Sequence, residues 1–572
     1  MPLFPSVGHE AFEGQRFSFT KFFDDTMAKR LFVIVQGLSG TGSKPNLDPL
    51  LDRLKSDPAL SGDTTRWYIY PRRPAVLGFR RLKSFADDLA AQINQVWINE
   101  TDFDDVVLIG HSVGGLLTRQ AFLESAGHLA WASKVSRIVL LAAPNRGVFQ
   151  LPIYLQALHS FIRLFFFWLK FTYQDVMHGS AFITNLRIDW IRYFGAKNAA
   201  TSLRVVQLLG TQDNVVFKYD SRDLLAFPEA SYVEVPGATH RDLPLLQTES
   251  TADGQRELTE GARERYSLLR NAILGTPASL GQIASPPPMP RPANFDRVIF
   301  VLHGIRASDV DDWVSEVASE IQTQDAKAMV VRPSYGYLSA LRFVLPSVRK
   351  RNLRWFQDQY TERLAQNPKA EFHFIGHSNG TYMLGQSLQE IPAMKFSRVA
   401  LAGSVLPADF FDSNSTILER QQVDVVRSDA GRFDWPVGIL CRTLRRALLM
   451  RDLGTGGYDG FSGGFVEEHR YFGGGHGGMF AETKNIQSMV HFVLTGHSDP
   501  SPVVLQKDAR FDRFTRLAPY LGVLLIIALL IGPLLVYFWA APAPNLWYSN
   551  VAAWYLVELV AVTVLAIILD VI

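Results

Sequence analysis

Short apolar runs recur along the chain and alternate with longer amphipathic stretches. LFVIV, VVLIG, RIVLLAA, SLRVVQLLG and SYVEV come first; VIFVL, FHFIG, RVALAG and VDVVRS follow further on. Runs this short and this rich in Val, Ile and Leu predict strands buried on both faces, as in a parallel sheet. Between them, LKSFADDLAAQINQVW and SVRKRNLRWFQDQYTERLAQ repeat apolar residues every three to four positions, which predicts helices. The alternation predicts βαβ units and hence an α/β fold, a mainly parallel sheet flanked by helices.

The pattern occurs twice. LFVIV ends in Gln36-Gly37 and VIFVL in His303-Gly304; VVLIGHSVGG places Ser112 and FHFIGHSNG places Ser378; RIVLLAAP matches RVALAGSVLP. These landmarks stand at nearly constant offset, so two tandem copies of one architecture are expected. The proline-rich stretch SPPPMPRP separates them. It divides the chain into a first domain over 1–284, a linker over 285–293 and a second domain over 294–510. After the third landmark the register breaks, because the first copy holds extra residues. This insert, near 145–200, falls where a lid is expected, between a sixth and a seventh strand. It includes LPIYLQALHSFIRLFFFWLKF, broken by Arg163 and Lys170 into runs too short to span a bilayer. An amphipathic lid lying in a membrane interface and a lid helix buried on its domain are the two readings. The second copy lacks the insert, so its site should be more open, with Tyr335, Tyr337 and Trp355 as lining or core residues.

The last part of the chain is patterned differently. Residues 517–540 contain no charge, and 546–569 contain only Glu558. Each run is long enough to cross a hydrocarbon core of ~30 Å, which predicts a two-helix transmembrane hairpin. Arg510, Arg513 and Arg516 precede the first run and place that end in the cytoplasm by the positive-inside rule. Residues 1–20 hold Glu10, Glu13 and Arg16 without a long apolar run, unlike a signal peptide. The expectation is a multi-pass inner-membrane protein with its soluble domains facing the cytoplasm. A buried helical hairpin is the alternative. Glu558 in the second span is read as an interhelical or oligomer contact, with a functional role as the other reading.

Composition narrows the function. The chain has 572 residues, with Lys+Arg 57 against Asp+Glu 55, a net charge of +2. That balance leaves no compositional case for a nucleic-acid partner. One cysteine, Cys441, excludes an internal disulfide framework and a Cys-based zinc cluster. No P-loop, dinucleotide fingerprint, HExxH or EF-hand pattern occurs, so neither a cofactor nor a metal is implied.

The candidate chemistry lies in the two GHSxG motifs. Each follows a strand pattern and opens a helix, the context of a nucleophile elbow. Gly110 with Gly114, and Gly376 with Gly380, leave the turn free of clashing side chains. Ser112 and Ser378 are the candidate nucleophiles. The backbone N–H groups of Val113 and Asn379 point where an oxyanion would form. Second oxyanion donors come from the loops after the early strands, at Leu38 and Ile305. A serine needs a base, and the base an orienting carboxylate, in the chain order Ser, acid, His. In the first copy Asp213 and His240 follow strands in that order; their ordinary alternatives are a turn aspartate and a surface histidine. In the second copy Asp434 and His476 are preferred, with Asp429 and His469 as the competing acid and base. His111 and His377, next to the serines, are read as groups that pack or hydrogen-bond locally and not as bases.

These residues resemble the α/β-hydrolase superfamily, twice over. The first copy, roughly 30–245, is similar to its bacterial lipase and GPI-inositol-deacylase-like branch at GHSVGGLLTR and LAAPNRG. The resemblance implies a nucleophile, acid and base at Ser112, Asp213 and His240. It departs at the oxyanion loop, where the family's usual His-Gly is Gln36-Gly37. The second copy, roughly 296–494, is similar to the superfamily at HGI, GHSNG and GGHGG. A membrane-anchored serine esterase acting on acyl esters, with lipid esters a candidate class, through an acyl-enzyme is the implied function. A thioesterase, acyltransferase or peptidase uses the same triad, and a membrane-tethered scaffold with one or both sites silent is the non-enzymatic alternative. The oligomeric state is left open.

Overall fold

A computed structural model of the chain describes residues 29–38, 48–60, 65–100, 103–149, 171–195, 203–221, 227, 229–250, 256–285, 295–305, 312–335, 340–447, 449–498, 505–540 and 559. The first half forms a sheet from β1 (Arg30–Val35), β2 (Thr65–Ile69), β3 (Asp105–His111), β4 (Val135–Leu141), β5 (Arg204–Gly210) and β6 (Ala230–Val235). After a small antiparallel pair, β7 (Thr248–Ser250) and β8 (Arg256–Leu258), the second half repeats it. Its strands are β9 (Arg297–Leu302), β10 (Ala328–Val331), β11 (Glu371–His377), β12 (Phe396–Ala402), β13 (Val423–Gly431) and β14 (Val466–Phe472). The strand orders are β2-β1-β3-β4-β5-β6 and β10-β9-β11-β12-β13-β14, and every neighbouring pair in both is parallel. The same topology therefore occurs twice in one chain.

The uninterrupted apolar runs follow from burial of both sheet faces. In β1, Leu31, Val33 and Val35 enter one core cluster while Phe32 and Ile34 enter another. In β9, Val298, Phe300 and Leu302 face the first of these clusters, and Ile299 and Val301 a third. One face of each sheet thus drains into a single continuous apolar core. Strand order reverses between β1 and β3, and between β9 and β11. Loops leaving the carboxyl ends of strands diverge there, which opens a crevice at each point.

Helices α1 (Asp48–Ser56), α2 (Leu82–Asn99) and α3 (Val113–Ser125) connect the early strands of the first half. The expected insert lies between β4 and β5, the fourth and fifth strands of six, which corrects the strand count drawn from the sequence. Its apolar segment over 151–170 is outside the described residues. The remainder forms α4 (Thr172–Val176) and α5 (Ala181–Gly195), whose inner residues are buried. Helix α5 packs against α8 (Pro346–Gln366) of the second half; α6 (Glu260–Leu274) and α7 (Asp312–Gln324) lie between them in the chain. The described part of the insert is therefore an interface between the halves. Contact is close: a Cβ on Gly195 would lie 2.6 Å from Pro368 Cβ. Gly179, at φ +69°, turns the chain with Arg354's aliphatic stem 3.1 Å from where a Cβ would be.

Four buried or half-buried charges cross this seam. Arg146 Nη2 donates to both carboxylate oxygens of Asp358 at 2.8 Å and to Glu362 Oε1 at 2.9 Å. Arg187 Nη1 donates to Asp358 Oδ1 at 2.6 Å. The arginine side chains are 4% and 1% exposed. Burial pushes the Asp358 carboxyl up, but the facing guanidiniums of Arg187 and Arg146 outweigh it and hold the group well below the usual carboxylate range.

The second half continues through α9 (Asn379–Glu390), a π-helical turn (Pro436–Cys441), α10 (Arg442–Ala447) and α11 (Thr483–Thr495) to α12 (Ala509–Ala540). Side chains of α12 are described only as far as Ile527, and not at 525 and 526. Among the described residues no helix is long and apolar enough to cross a membrane. The second predicted span, Leu559 apart, and Glu558 with it, lie outside them, as do residues 286–293 of the linker and Tyr337.

Candidate active site

Strand β3 ends at His111, and α3 begins at Val113, so Ser112 alone makes the turn between them. It does so at φ 53° and ψ −127°, a conformation that L residues other than glycine avoid. Ser378 repeats it between β11 and α9, at φ 52° and ψ −116°. Backbone crowding explains the flanking glycines. A Cβ on Gly114 would stand 2.2 Å from Val35 O, and one on Gly380 2.6 Å from Leu302 O. The early-strand loops press equally close: a Cβ on Gly37 would lie 2.9 Å from Ser112 Cβ, and one on Gly304 2.9 Å from Ser378 Cβ.

In the first half the structure brings Ser112, His240 and Asp213 together. His240 Nε2 is 3.0 Å from Ser112 Oγ, and His240 Nδ1 is 2.9 Å from Asp213 Oδ2. Asp213 stands just past β5, where its Oδ1 accepts from the N–H groups of Val215 at 2.8 Å and Val216 at 2.9 Å. Those amides fix the carboxylate so that its other oxygen faces the imidazole. Its side chain is fully buried.

The second half assembles the acid and base in the same way. His476 Nδ1 lies 3.0 and 2.9 Å from the two oxygens of Asp434, and Asp434 Oδ1 accepts from Val437 N–H at 3.0 Å. Among the described residues no hydrogen bond joins His476 to Ser378. Asp429 sits within β13 and is bound by Arg427 at 2.8 Å. His469 bonds Ser428 Oγ at 3.1 Å. Among the described residues no hydrogen bond joins Asp429 to His476 or His469 to Ser378.

Val113 and Asn379 are the first residues of α3 and α9, where N–H groups have no intrahelical acceptor. Leu38 and Ile305 follow the glycines that touch the serines, at the edge of the described loops. The second site has a strut that sequence reasoning left among lining residues. Tyr335 Oη donates to Gly304 O at 2.5 Å and accepts from Asn379 Nδ2 at 3.1 Å, joining the oxyanion loop to the elbow. Trp355 packs edge-on against Tyr335 at 5.8 Å.

The histidines before the serines act on the bases. His111 Nε2 lies 3.4 Å from His240 O, and His377 Nε2 3.1 Å from His476 O. Burial, reinforced by the neighbouring imidazole, pushes His111 down to about 4 and His377 to about 3. Both stay neutral at physiological pH and can donate Nε2–H to the carbonyl of the base. Burial also pushes His373 and His469 down to about 4. The unfolded chain protonates these four near the ordinary value of about 6.5, whereas the folded chain does not. Their contribution to stability is therefore lost as pH falls from about 6.5 towards 4. At pH 5.5 each should favour the unfolded chain by about 1 kcal/mol. Urea unfolding followed at pH 7.5 and 5.5 should show the midpoint fall; an unchanged midpoint would contradict the burial of these imidazoles.

Comparison of the sequence with curated proteins finds no match. Among solved structures, the chain is similar to phospholipase PlaB from Legionella pneumophila in complex with thio-NAD, at 13% identity and a TM-score of 0.31, over 44% of this chain and 60% of that one. It spans about three fifths of that phospholipase's length. It is also similar to a Paleococcus ferrophilus monoacylglycerol lipase, at 14% identity and a TM-score of 0.28, over 42% of this chain and 93% of that one. A Nitrososphaera gargenis carboxylesterase structure shares 14% identity at a TM-score of 0.27, over 44% of this chain and 92% of that one. At these values no substrate passes from them to this chain. Residues 33–253 match the model described as the alpha/beta hydrolase family.

Proposed function

We propose that the chain is a serine hydrolase of carboxylic esters, lipid esters among them, with its first site at Ser112. The observation that carries this is the pair of contacts through His240, 3.0 Å to Ser112 Oγ and 2.9 Å to Asp213, around a serine held in strain. His240 would take the serine proton as Oγ attacks the ester carbonyl, and Asp213 would stabilise the imidazolium. The amides of Val113 and Leu38 would hold the oxyanion, and His240 would return the proton to the leaving alcohol. Water would then release the acid from the acyl-enzyme by the same relay. Ser378, Asp434 and His476, with Ile305 and Asn379 as donors, form the second site in this reading. The tandem domains would be 1–284 and 294–510, anchored to the inner membrane by the runs 517–540 and 546–569, with the soluble part on the cytoplasmic side. The two apolar runs, the first uncharged and the second with only Glu558, and the three arginines before them support this.

A division of labour, with the first site armed and the second resting, is favoured by one contrast: the Ser–His hydrogen bond is present at Ser112 and not formed at Ser378. Fluorophosphonate labelling of detergent-solubilised wild type, Ser112→Ala, Ser378→Ala and the double variant tests both. Loss of label in Ser112→Ala is the expected result. Residual label in that variant that disappears in the double variant would show the second serine armed as well. An unlabelled wild type would defeat the enzymatic reading.

A further inference from the structure

The helix α12 is rooted on the segment that carries the second site's acid. Phe511 meets Phe433 edge-on at 5.7 Å. A Cβ on Gly438 would stand 3.0 Å from Thr515 Cγ2, and one on Gly522 2.7 Å from Thr443 Cγ2. Residues 438 to 443 therefore run alongside 515 to 522 in the same direction, towards the uncharged part of α12. The inward stripe of α12 is half-buried Phe511, buried Thr515 and Ala518, and half-buried Gly522. A second stripe at helical spacing, Phe514, Leu517, Leu521 and Leu524, is apolar and exposed.

Helix α10 packs along α12, and Met450 N–H, past its end, reaches back to Leu444 O at 3.2 Å. Leu449, just before Met450, stands in the left-handed region, at φ 54°. Glycine or asparagine normally takes that conformation. Leu449 is also 73% exposed. A strained backbone that presents an apolar side chain to solvent is doubly unfavourable for a surface meeting only water. Arg446 and Arg451, both exposed, flank it in sequence, and Arg510 and Arg513 are exposed on the first turns of α12.

We propose that Leu449 and the exposed stripe of α12 form a docking surface for an anionic phospholipid bilayer, with Leu449 inserted among acyl chains and the arginines at the phosphates. Long cationic side chains around an apolar wedge complement such a surface in charge and in depth. The segment from Asp434 to Leu449 then ties the acid of the second site to the lipid surface, so that site meets substrates presented in the bilayer. This inference rests on the membrane association proposed above and adds which face touches lipid.

Full-length Leu449→Cys and Gln95→Cys, the latter at an exposed position of α2 in the first half, would carry an environment-sensitive fluorophore. Wild type, whose Cys441 is buried, serves as the labelling blank. The proteins would be reconstituted in vesicles of phosphatidylcholine with phosphatidylglycerol and read by flotation and by quenching with nitroxide lipids. The expected result is flotation of all variants, with a blue shift and strong quenching at 449 and neither at 95. Reversing Arg446 and Arg451 to glutamate should weaken the quenching at 449. Flotation without quenching at 449 would overturn the docking surface and leave the membrane association standing. Failure to float would remove both.

Discussion

Ser112→Gly is expected to abolish ester hydrolysis and, at the same time, to stabilise the protein. The serine is the atom donor of the proposed attack, so its loss should lower kcat on a short p-nitrophenyl ester by about 10³-fold or more. The stability gain comes from the backbone. Ser112 sits at φ 53° and ψ −127°, which glycine reaches without a clashing Cβ. Strain of this kind costs of order 1–3 kcal/mol, part of which glycine's freer unfolded chain takes back. A rise in Tm of a few degrees, seen by scanning fluorimetry beside the loss of turnover, is the predicted pair. Retained hydrolysis would remove Ser112 from the mechanism. A fall in Tm would mean that the hydroxyl contact with His240 outweighs the strain.

Asp358→Ala should produce the largest loss of stability of any single change at the seam. The carboxylate is shared by Arg146 and Arg187, both almost fully withdrawn from water. Removing one partner of a buried ion pair leaves charge that water cannot reach, at a cost of about 3–5 kcal/mol. Glu362 still faces Arg146 and keeps part of the charge pairing at the seam. Arg146 follows Asn145, which binds Arg119 at 3.0 Å and Gln207 at 3.2 Å in the floor between α3 and β5. The same variant should therefore also slow turnover at Ser112. Asp358→Asn, which keeps the shape and some hydrogen bonding, should recover part of both. A variant as stable as wild type would show the seam to be solvated in solution. Because the Asp358 carboxyl is held below the usual range, the contribution of the pair is present above about pH 4 and fades only as pH falls through that depressed value.

Local signals made the sheets and elbows legible. Strands such as RLFVIV must be apolar on both faces, and GHSxG must crowd glycines around a serine; both requirements are written in adjacent residues. Asp213 and His240 were readable because each follows a strand in a fixed order. Asp434 could not be separated from Asp429 on spacing. The difference lies in side-chain direction: Asp429 turns to Arg427 inside the sheet, whereas Asp434, past the end of β13, turns to His476. The seam was invisible in the sequence. Arg146, Arg187 and Asp358 are far apart in the chain, and each looks like an ordinary surface charge until α5 and α8 meet. The partner of α5 was equally hidden, since an apolar helix reads alike whether it covers a substrate or a neighbouring half. Tyr335 was legible only as a lining or core aromatic, because its bracing role depends on a loop and a helix start brought together by the fold.

The apolar core common to both sheets has a consequence for how the protein came to be and how it can be cut. Two copies that began as separate bodies would each have closed their own outer face with polar residues. Here Val298, Phe300 and Leu31, Val33 belong to one interior, and α5 and α8 are its party wall. Severing the chain at the prolines between the halves would leave both fragments with a bare greasy face. Neither should be soluble alone, yet the pair, made together, should find each other and refold as a nicked whole. The peptide connection serves mainly to keep the two copies in equal number.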